Sequence, residues 1–228
     1  MRSQMVQFPS NGSQASGYLA RPDEDVPAPG VVVIQEWWGL DDHIKDIVNR
    51  FAKEGFLALA PDLYHGKVVP ITEPNEAQKA LMDMDRERAQ KEINGAVAWL
   101  KAQPYVEPKK IGLIGFCMGG GLALHVAAKN PDVGAVSAFY GGGAPNAEAF
   151  SKSKAAILNV TGGHDEHVAS AIRALDEGLK QYDMPHEVRH YPQGGHAFFN
   201  DTRKEVYDPE AAHDAWKHTL DWLHNYLK

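Results

Sequence analysis

Apolar residues occur along this chain in two alternating patterns, and the alternation predicts the fold class. Short continuous apolar runs, rich in β-branched residues, are typical of strands that are covered on both faces. These predicted strands are Val31–Glu36, Phe56–Pro61, Lys110–Phe116, Val133–Tyr140, Ala156–Val160 and Glu187–Tyr191. Between them the pattern predicts helices at Asp41–Glu54, in the second half of Pro74–Gln103, and at Met118–Lys129, Val168–Tyr182 and Pro209–Leu227. Strands that alternate with helices indicate an α/β fold, a mostly parallel central sheet with helices on both faces.

The N-terminal segment is predicted to add two strands before the first buried strand. Met5–Phe8 and Gly17–Ala20 are predicted to pair as a hairpin, with turn residues at Ser10–Gly12 between them. The polar, proline-rich stretch Pro22–Gly30 then connects the hairpin to the first buried strand. The sequence contains no internal repeat, so we expect residues 1–228 to form one domain.

Composition narrows the classes of function. The 23 basic and 30 acidic residues give a net charge of −7, so we expect no nucleic-acid partner. No basic amphipathic stretch indicates a membrane partner, and no apolar run approaches the roughly 18 residues of a membrane span. The polar N-terminus lacks the features of a signal peptide, and the single cysteine fits a reducing compartment. These features predict a cytoplasmic protein.

That single cysteine lies in a motif that is typical of a catalytic nucleophile. Gly115-Phe-Cys117-Met-Gly119 matches the Gly-x-Ser-x-Gly nucleophile elbow, with cysteine in the nucleophile's place. It follows a predicted buried strand and opens a predicted helix, which is the context that the motif requires. The N–H of Met118 would then point to where an oxyanion forms. The alternative is an inert buried cysteine in a glycine-rich turn.

An acid and a base follow the elbow in the order that this motif predicts. Asp165 comes just after the predicted strand Ala156–Val160, and His196 follows the last predicted strand behind Gly194 and Gly195. A Cys117-His196-Asp165 triad is therefore the hypothesis. As an alternative, Asp165 would serve as the N-cap of the helix near Val168.

The histidines beside Asp165 raise the question of a metal. His164 and His167 have no obvious third ligand in the sequence, so we expect solvated loop histidines and no metal site. The triad chemistry needs no organic cofactor either, so none is predicted.

Five segments together resemble the dienelactone hydrolase family, in the family's order. They are Gln35–Gly39, Ala60–Tyr64, Gly115–Gly120, Gly162–Asp165 and Gly194–Phe198. The resemblance implies an α/β-hydrolase fold and hydrolysis of esters or lactones. It also implies that Glu36 pairs with the cysteine and keeps the thiol unreactive until substrate arrives. A carboxylate beside a thiol should indeed raise the pKa of that thiol. A surface loop position is the alternative for Glu36.

The resemblance also covers the segments around Trp37 and around Tyr64. Trp37 matches the position of the second oxyanion-hole N–H, and Met118 supplies the first. Trp38, with Trp37, is apolar enough to line a substrate pocket, and core packing is the alternative for both side chains. Asp62 and Tyr64 match a recurring run to which we assign only a structural role.

The sequence departs from the family at two arginines. Members that act on dienelactone hold the substrate carboxylate with one arginine after the Pro-Asp-Leu-Tyr run and one shortly after the histidine. Here Asn200 stands near the second position, and Lys67 and Lys79 are the only cations between Gly66 and Asp85. We therefore expect neutral esters or lactones to be turned over at least as well as anionic ones, unless Arg203 or Arg86 reaches the pocket.

The sequence thus predicts a hydrolase of small ester or lactone substrates that acts through an acyl-enzyme on Cys117. The alternatives are another acyl-transfer chemistry on the same triad, such as thioester or peptide hydrolysis, and a catalytically silent binding module. The expected partner is a small-molecule substrate, and the expected assembly is a monomer or a weak homo-oligomer.

Overall fold

The computed structural model describes residues 1–23 and 26–228 and contains one eight-stranded sheet. Its strands are β1 (Arg2–Ser10), β2 (Ser13–Arg21), β3 (Gly30–Ile34), β4 (Leu57–Pro61), β5 (Ile111–Phe116), β6 (Val133–Phe139), β7 (Ala156–Gly162) and β8 (His186–Tyr191). Their order across the sheet is β1-β2-β4-β3-β5-β6-β7-β8. β2 is antiparallel to β1 and β4, and the strands from β4 to β8 are parallel to one another. The mostly parallel sheet predicted from the sequence is confirmed.

The predicted N-terminal hairpin is confirmed, and its strands are longer than expected. β1 and β2 pair along their whole length from Arg2↔Arg21 to Ser10↔Ser13. Asn11 and Gly12 form the turn with φ angles of 50° and 73°. Left-handed backbone at both central residues suits a tight hairpin turn, because its twist matches that of the strands.

The helices are α1 (Asp42–Lys53), α2 (Pro74–Asp83), α3 (Arg86–Lys101), α4 (Met118–Ala127), α5 (Glu166–Leu179) and α6 (Pro209–Tyr226). Where the sequence predicted helix only in the second half of residues 74–103, the structure has two helices. Asp85 separates them, because its side chain accepts a hydrogen bond from the N–H of Arg88 and caps α3. A short 3-10 helix, Ala147–Phe150, has too few residues for any periodic pattern to predict it.

Side chains of the helices cover both faces of the sheet. Residues of α3, α4 and α5 pack with one face, and residues of α1 and α6 pack with the other. Register places the ends of the parallel strands side by side, with Ile34 opposite Gly115 and Phe116 opposite Phe139. The segments that follow β3, β5, β7 and β8 therefore meet at one edge of the sheet, where such folds place their sites.

Candidate active site

Cys117 occupies a strained turn between β5 and α4. Its backbone angles, φ 55° and ψ −120°, are rare for a residue with a side chain. The turn is held by its N–H, which donates to the carbonyl of Phe139 at 3.0 Å, and by its carbonyl, which accepts from Gly120 at 3.0 Å. The side chain is partly exposed. Strain of this kind at one cysteine favours the nucleophile elbow over an inert core position.

The glycines of the motif are needed because backbones meet around this turn. A Cβ on Gly115 would lie 2.1 Å from the carbonyl oxygen of Gly119. One on Gly119 would lie 2.5 Å from the carbonyl oxygens of both Ile34 and Gln35. No larger residue fits at either position. The close approach brings the start of α4, with Cys117, directly against the end of β3, where Glu36 follows.

Asp165 and His196 form the second part of the site. The Nδ1–H of His196 donates to Oδ2 of Asp165 at 2.5 Å, which leaves Nε2 as the free ring nitrogen. Asp165 does stand at the N-cap position of α5, but its side chain makes no capping hydrogen bond. This contact favours the catalytic role over the capping alternative.

Neither neighbouring histidine shares in the Asp165–His196 contact. His164 and His167 are both exposed. Within residues 1–23 and 26–228, no three His, Cys, Asp or Glu side chains are grouped so that they could hold a metal ion.

Among the described residues, Cys117 and His196 make no direct hydrogen bond with each other. Tyr140 connects the two parts of the site. Its ring centroid is 5.1 Å from that of His196. Burial raises the pKa of Tyr140 well above its ordinary value, and the charges of Glu36 and Cys117 add to the effect. The buried phenol of Tyr140 therefore lies beside His196 and within electrostatic reach of Glu36 and Cys117.

Glu36 is buried, with 2% of its surface exposed. The side-chain N–H of Asn200 donates to its Oε2 at 2.8 Å. Thr202 fixes the orientation of that amide, because its N–H and its hydroxyl both donate to Oδ1 of Asn200, at 3.1 and 2.6 Å. Burial raises the pKa of Glu36 to about 7, against the opposing effect of the Asn200 hydrogen bond. The surface-loop alternative for Glu36 does not agree with this burial.

The thiol of Cys117 is protonated at neutral pH in this arrangement. Burial raises its pKa to about 12, and the charge of Glu36 is the second cause. The N–H of Met118 at the start of α4 acts in the opposite direction. A suppressed thiol beside Glu36 is what the family resemblance implies for the resting enzyme.

The two expected oxyanion-hole donors lie on the two backbones that meet at Gly119. Trp37 follows Glu36 in the turn after β3, and Met118 is the first residue of α4. In the described part of the chain, the N–H of Trp37 donates to no acceptor. The N–H of Met118 has no acceptor within its own helix, since it belongs to the first turn. The N–H of Met118 also interacts with the sulfur of Cys117, whose pKa it lowers. The oxyanion-hole role of the two N–H groups stays a prediction.

Trp38 is a packed side chain. It is 2% exposed and lies in a small cluster with Val69, Ala77 and Ala80. The guanidinium of Arg203 stands 5.6 Å above its ring and is paired with Glu205 at 2.9 Å. This burial favours the packing alternative for Trp38.

A cavity of about 350 Å³ opens from Cys117 and Met118. Arg86 at the start of α3 lines it, together with side chains of α4 and the Gly142-Gly143 backbone after β6. Arg86 therefore reaches the pocket, which was the open condition on the sequence-based expectation about substrate charge.

Sequence reasoning missed two residues of the site. Asn200 entered only as a departure from an arginine position, although it holds Glu36. Tyr140 was read as the last residue of a strand, but it has a φ of 39° and lies beyond the end of β6. The available signal was its place after the strand next to the elbow, followed by three glycines.

Known proteins are similar to this chain over nearly its whole length. The sequence profile of the dienelactone hydrolase family matches residues 15–227. The protein usf of Aquifex pyrophilus is 39% identical over 98% of this chain and 99% of its own length. A relative in Aquifex aeolicus, whose name proposes a carboxymethylenebutenolidase, is 35% identical over 99% of both proteins.

Solved structures extend the likeness to the fold. A proposed dienelactone hydrolase from Klebsiella pneumoniae has a TM-score of 0.86 and 28% identity, over 99% of both chains. A dienelactone hydrolase-like promiscuous phosphotriesterase from metagenomic libraries also has a TM-score of 0.86, with 25% identity over 100% of this chain and 99% of that one. The α/β-hydrolase fold is confirmed. With a profile match over nearly its whole length, this chain belongs to the dienelactone hydrolase family of carboxylic ester hydrolases.

Proposed function

We propose that this chain hydrolyses small carboxylic esters or lactones through a Cys117 acyl-enzyme. The observation that carries the proposal is the strained turn at Cys117, with φ 55°, at the mouth of a cavity beside the Asp165–His196 pair. A protein that uses this fold only for packing has no need of a nucleophilic residue in rare backbone geometry at a cavity.

In the proposed mechanism, Nε2 of His196 takes the proton of the Cys117 thiol as the sulfur attacks the substrate carbonyl. Asp165 accepts from Nδ1–H and stabilises the imidazolium that forms. The N–H groups of Trp37 and Met118 stabilise the oxyanion. The ester C–O bond then breaks, and the alkoxide leaves with the proton from His196. Water attacks the thioester, His196 takes its proton, and the sulfur leaves as the thiol.

A panel of lactones, aryl esters and thioesters tests the proposal, with Cys117→Ala and His196→Ala as variants. We expect each variant to lose nearly all turnover and the double variant to be little worse, because such residues act as a unit. Circular dichroism and thermal unfolding check that the variants fold. If Cys117→Ala kept more than about a tenth of the rate, a barrier change below about 1.4 kcal/mol, the nucleophile assignment would be wrong.

A silent binding module is the rival, and the thiol itself distinguishes the two. A thiol at the cavity should react with a small alkylating agent at alkaline pH, whereas one sealed in the core should not react while the protein is folded. A phosphotriester belongs in the panel as well, because one structural relative is described as a promiscuous phosphotriesterase. Turnover of the phosphotriester alone would move the proposal to that chemistry.

A further inference from the structure

The Cys117 cavity differs in charge from the rest of the molecule. The chain as a whole has a net charge of −7. The side chains that line this cavity in the described structure include one arginine, Arg86, and one histidine, His125, and no carboxylate. A cavity with this lining attracts anions although the protein as a whole repels them.

Arg86 has no carboxylate partner among the described residues, and its acidic neighbours are occupied. Asp85 accepts the N–H of Arg88 at 3.0 Å, and Glu87 pairs with Lys91 at 2.7 Å. Gln90 is on the same side of α3, one turn later, and also lines the cavity. A free guanidinium and an amide thus stand together on one wall.

The position of the Arg86 guanidinium is given by its distance from Gly143 on the opposite side of the cavity. Nη1 of Arg86 is 3.5 Å from the point where a Cβ on Gly143 would stand. The ring of His125 on α4 donates from Nε2 to the carbonyl of Gly143 at 2.9 Å. Arg86 and His125 therefore approach the same short backbone segment and form a polar end to the cavity.

The cavity also has apolar lining from Leu81, Met84 and Leu122. Along α4, Leu122 comes between Cys117 and His125. His125 comes eight residues after Cys117 (125 − 117 = 8), about 12 Å along the α4 axis at 1.5 Å per residue. Side chains lean back by about one turn, so the polar end lies roughly 7 to 12 Å from the sulfur.

We propose that Arg86, with Gln90, forms a distal anion subsite bordered by His125, and that this enzyme prefers esters carrying an apolar arm that ends in a carboxylate. The subsite rests on the proposed function for the site of cleavage. It is distinct from an anion held directly beside the scissile bond, because Arg86 approaches Gly143 where His125 binds it, about two turns along α4 from Cys117. A guanidinium fork binds a terminal carboxylate through two parallel hydrogen bonds.

Substrates that differ in the length of the arm and in its terminal charge test the subsite. The substrates are p-nitrophenyl hemiesters of succinate, adipate and suberate, each compared with its methyl-capped neutral diester. Acetate esters of ω-hydroxyalkanoic acids cover the case in which the arm is on the alcohol side. We expect kcat/KM for the suberate hemiester to exceed that of its neutral partner by at least about tenfold, in the range of a charge-assisted hydrogen bond. Arg86→Met should remove this preference, and Arg86→Lys should keep part of it.

Arg88→Met is the matched control on the same helix. The guanidinium of Arg88 contacts His65 and lies 3.5 Å from Glu92, outside the lining of the Cys117 cavity. It should retain the preference for the anion. A binding measurement makes the test independent of turnover. In a Cys117→Ala background, monomethyl suberate should bind at least about fivefold more weakly after Arg86→Met, measured by calorimetry.

The outcomes separate the two proposals. If Cys117-dependent hydrolysis is present but no series prefers the long anion, the subsite is wrong and the proposed function stands. A preference for succinate over suberate overturns the distal placement. If no ester is hydrolysed but monomethyl suberate binds in an Arg86-dependent way, the subsite stands and the proposed function fails. Absence of both hydrolysis and Arg86-dependent binding overturns both.

Discussion

Replacing Glu36 by glutamine should make the resting thiol more reactive. Burial raises the pKa of Cys117 to about 12, and the charge of Glu36 is the next largest cause. Loss of that charge should therefore lower the pKa of the thiol, while the larger effect of burial remains. Glu36→Gln keeps the shape of the side chain and removes its charge.

The expected rate follows from two opposing effects. A lower pKa gives more thiolate at a given pH, and each tenfold gain in thiolate is offset by an about threefold loss of nucleophilicity. We therefore expect Glu36→Gln to be alkylated by iodoacetamide faster at pH 8, by about threefold for each tenfold gain in thiolate. Mass spectrometry of the single cysteine follows the reaction directly. Asp42→Asn, at a fully exposed carboxylate, is the control that makes the same change in net charge.

The pH dependence supplies a second signature. Burial raises the pKa of Glu36 to about 7, so this carboxyl is largely neutral below about pH 6 in the wild type. The ratio of variant to wild-type alkylation rates should therefore fall towards one as the pH is lowered through about 7. An unchanged or slower rate at pH 8 would refute the reasoning and remove Glu36 from the site.

Three further predictions concern the turn, the orienting acid and stability. Gly119→Ala should destabilise the fold by about 3 kcal/mol in urea unfolding, because its Cβ would lie 2.5 Å from the carbonyl oxygen of Gln35; an unaltered midpoint would contradict this. Asp165→Asn should lower kcat by about 10³ to 10⁴ with the fold retained, since His196 loses its orienting acceptor; a loss below tenfold in steady-state kinetics would exclude the role. His43 is buried, and burial lowers its pKa to about 4 from 6.5, so stability is present above pH 6.5 and declines as the pH falls towards 4. His43→Leu should reduce the difference in unfolding free energy between pH 7 and pH 4 by about 3 kcal/mol, and an identical difference would count against it.

The fold and the triad could be predicted because their signals are local. Buried parallel strands appear as β-branched runs such as Val31–Ile34, and Cys117 has its glycines within two residues on each side. The order of acid and histidine follows from chain direction in this fold. Each of these features depends on neighbours in sequence, so one sequence is enough to find them.

Long-range contacts account for what the sequence did not predict. Asn200 meets Glu36 across 164 residues, and no local pattern marks an asparagine as the partner of a buried carboxyl. Arg86 reaches the cavity because the long polar stretch breaks into two helices at Asp85, and only the three-dimensional path of that break aims the side chain. For Trp38 the sequence left a pocket wall and core packing open, and the side chain packs with Ala77 and Ala80 of α2.

Asn200 stands near a position where family members that act on dienelactone have an arginine. This difference affects how Glu36 controls the pKa of the Cys117 thiol. A guanidinium in contact with a buried carboxyl favours the ionised form strongly, because it supplies a full opposite charge. The N–H of Asn200 favours the ionised form of Glu36 less strongly than burial opposes it, and it can still donate when the carboxyl is protonated on its other oxygen. Glu36 can therefore take up a proton near neutral pH without losing its position. Because its charge is one cause of the raised pKa of Cys117, we expect suppression of the thiol to weaken as the pH falls through about 7 and Glu36 takes up its proton.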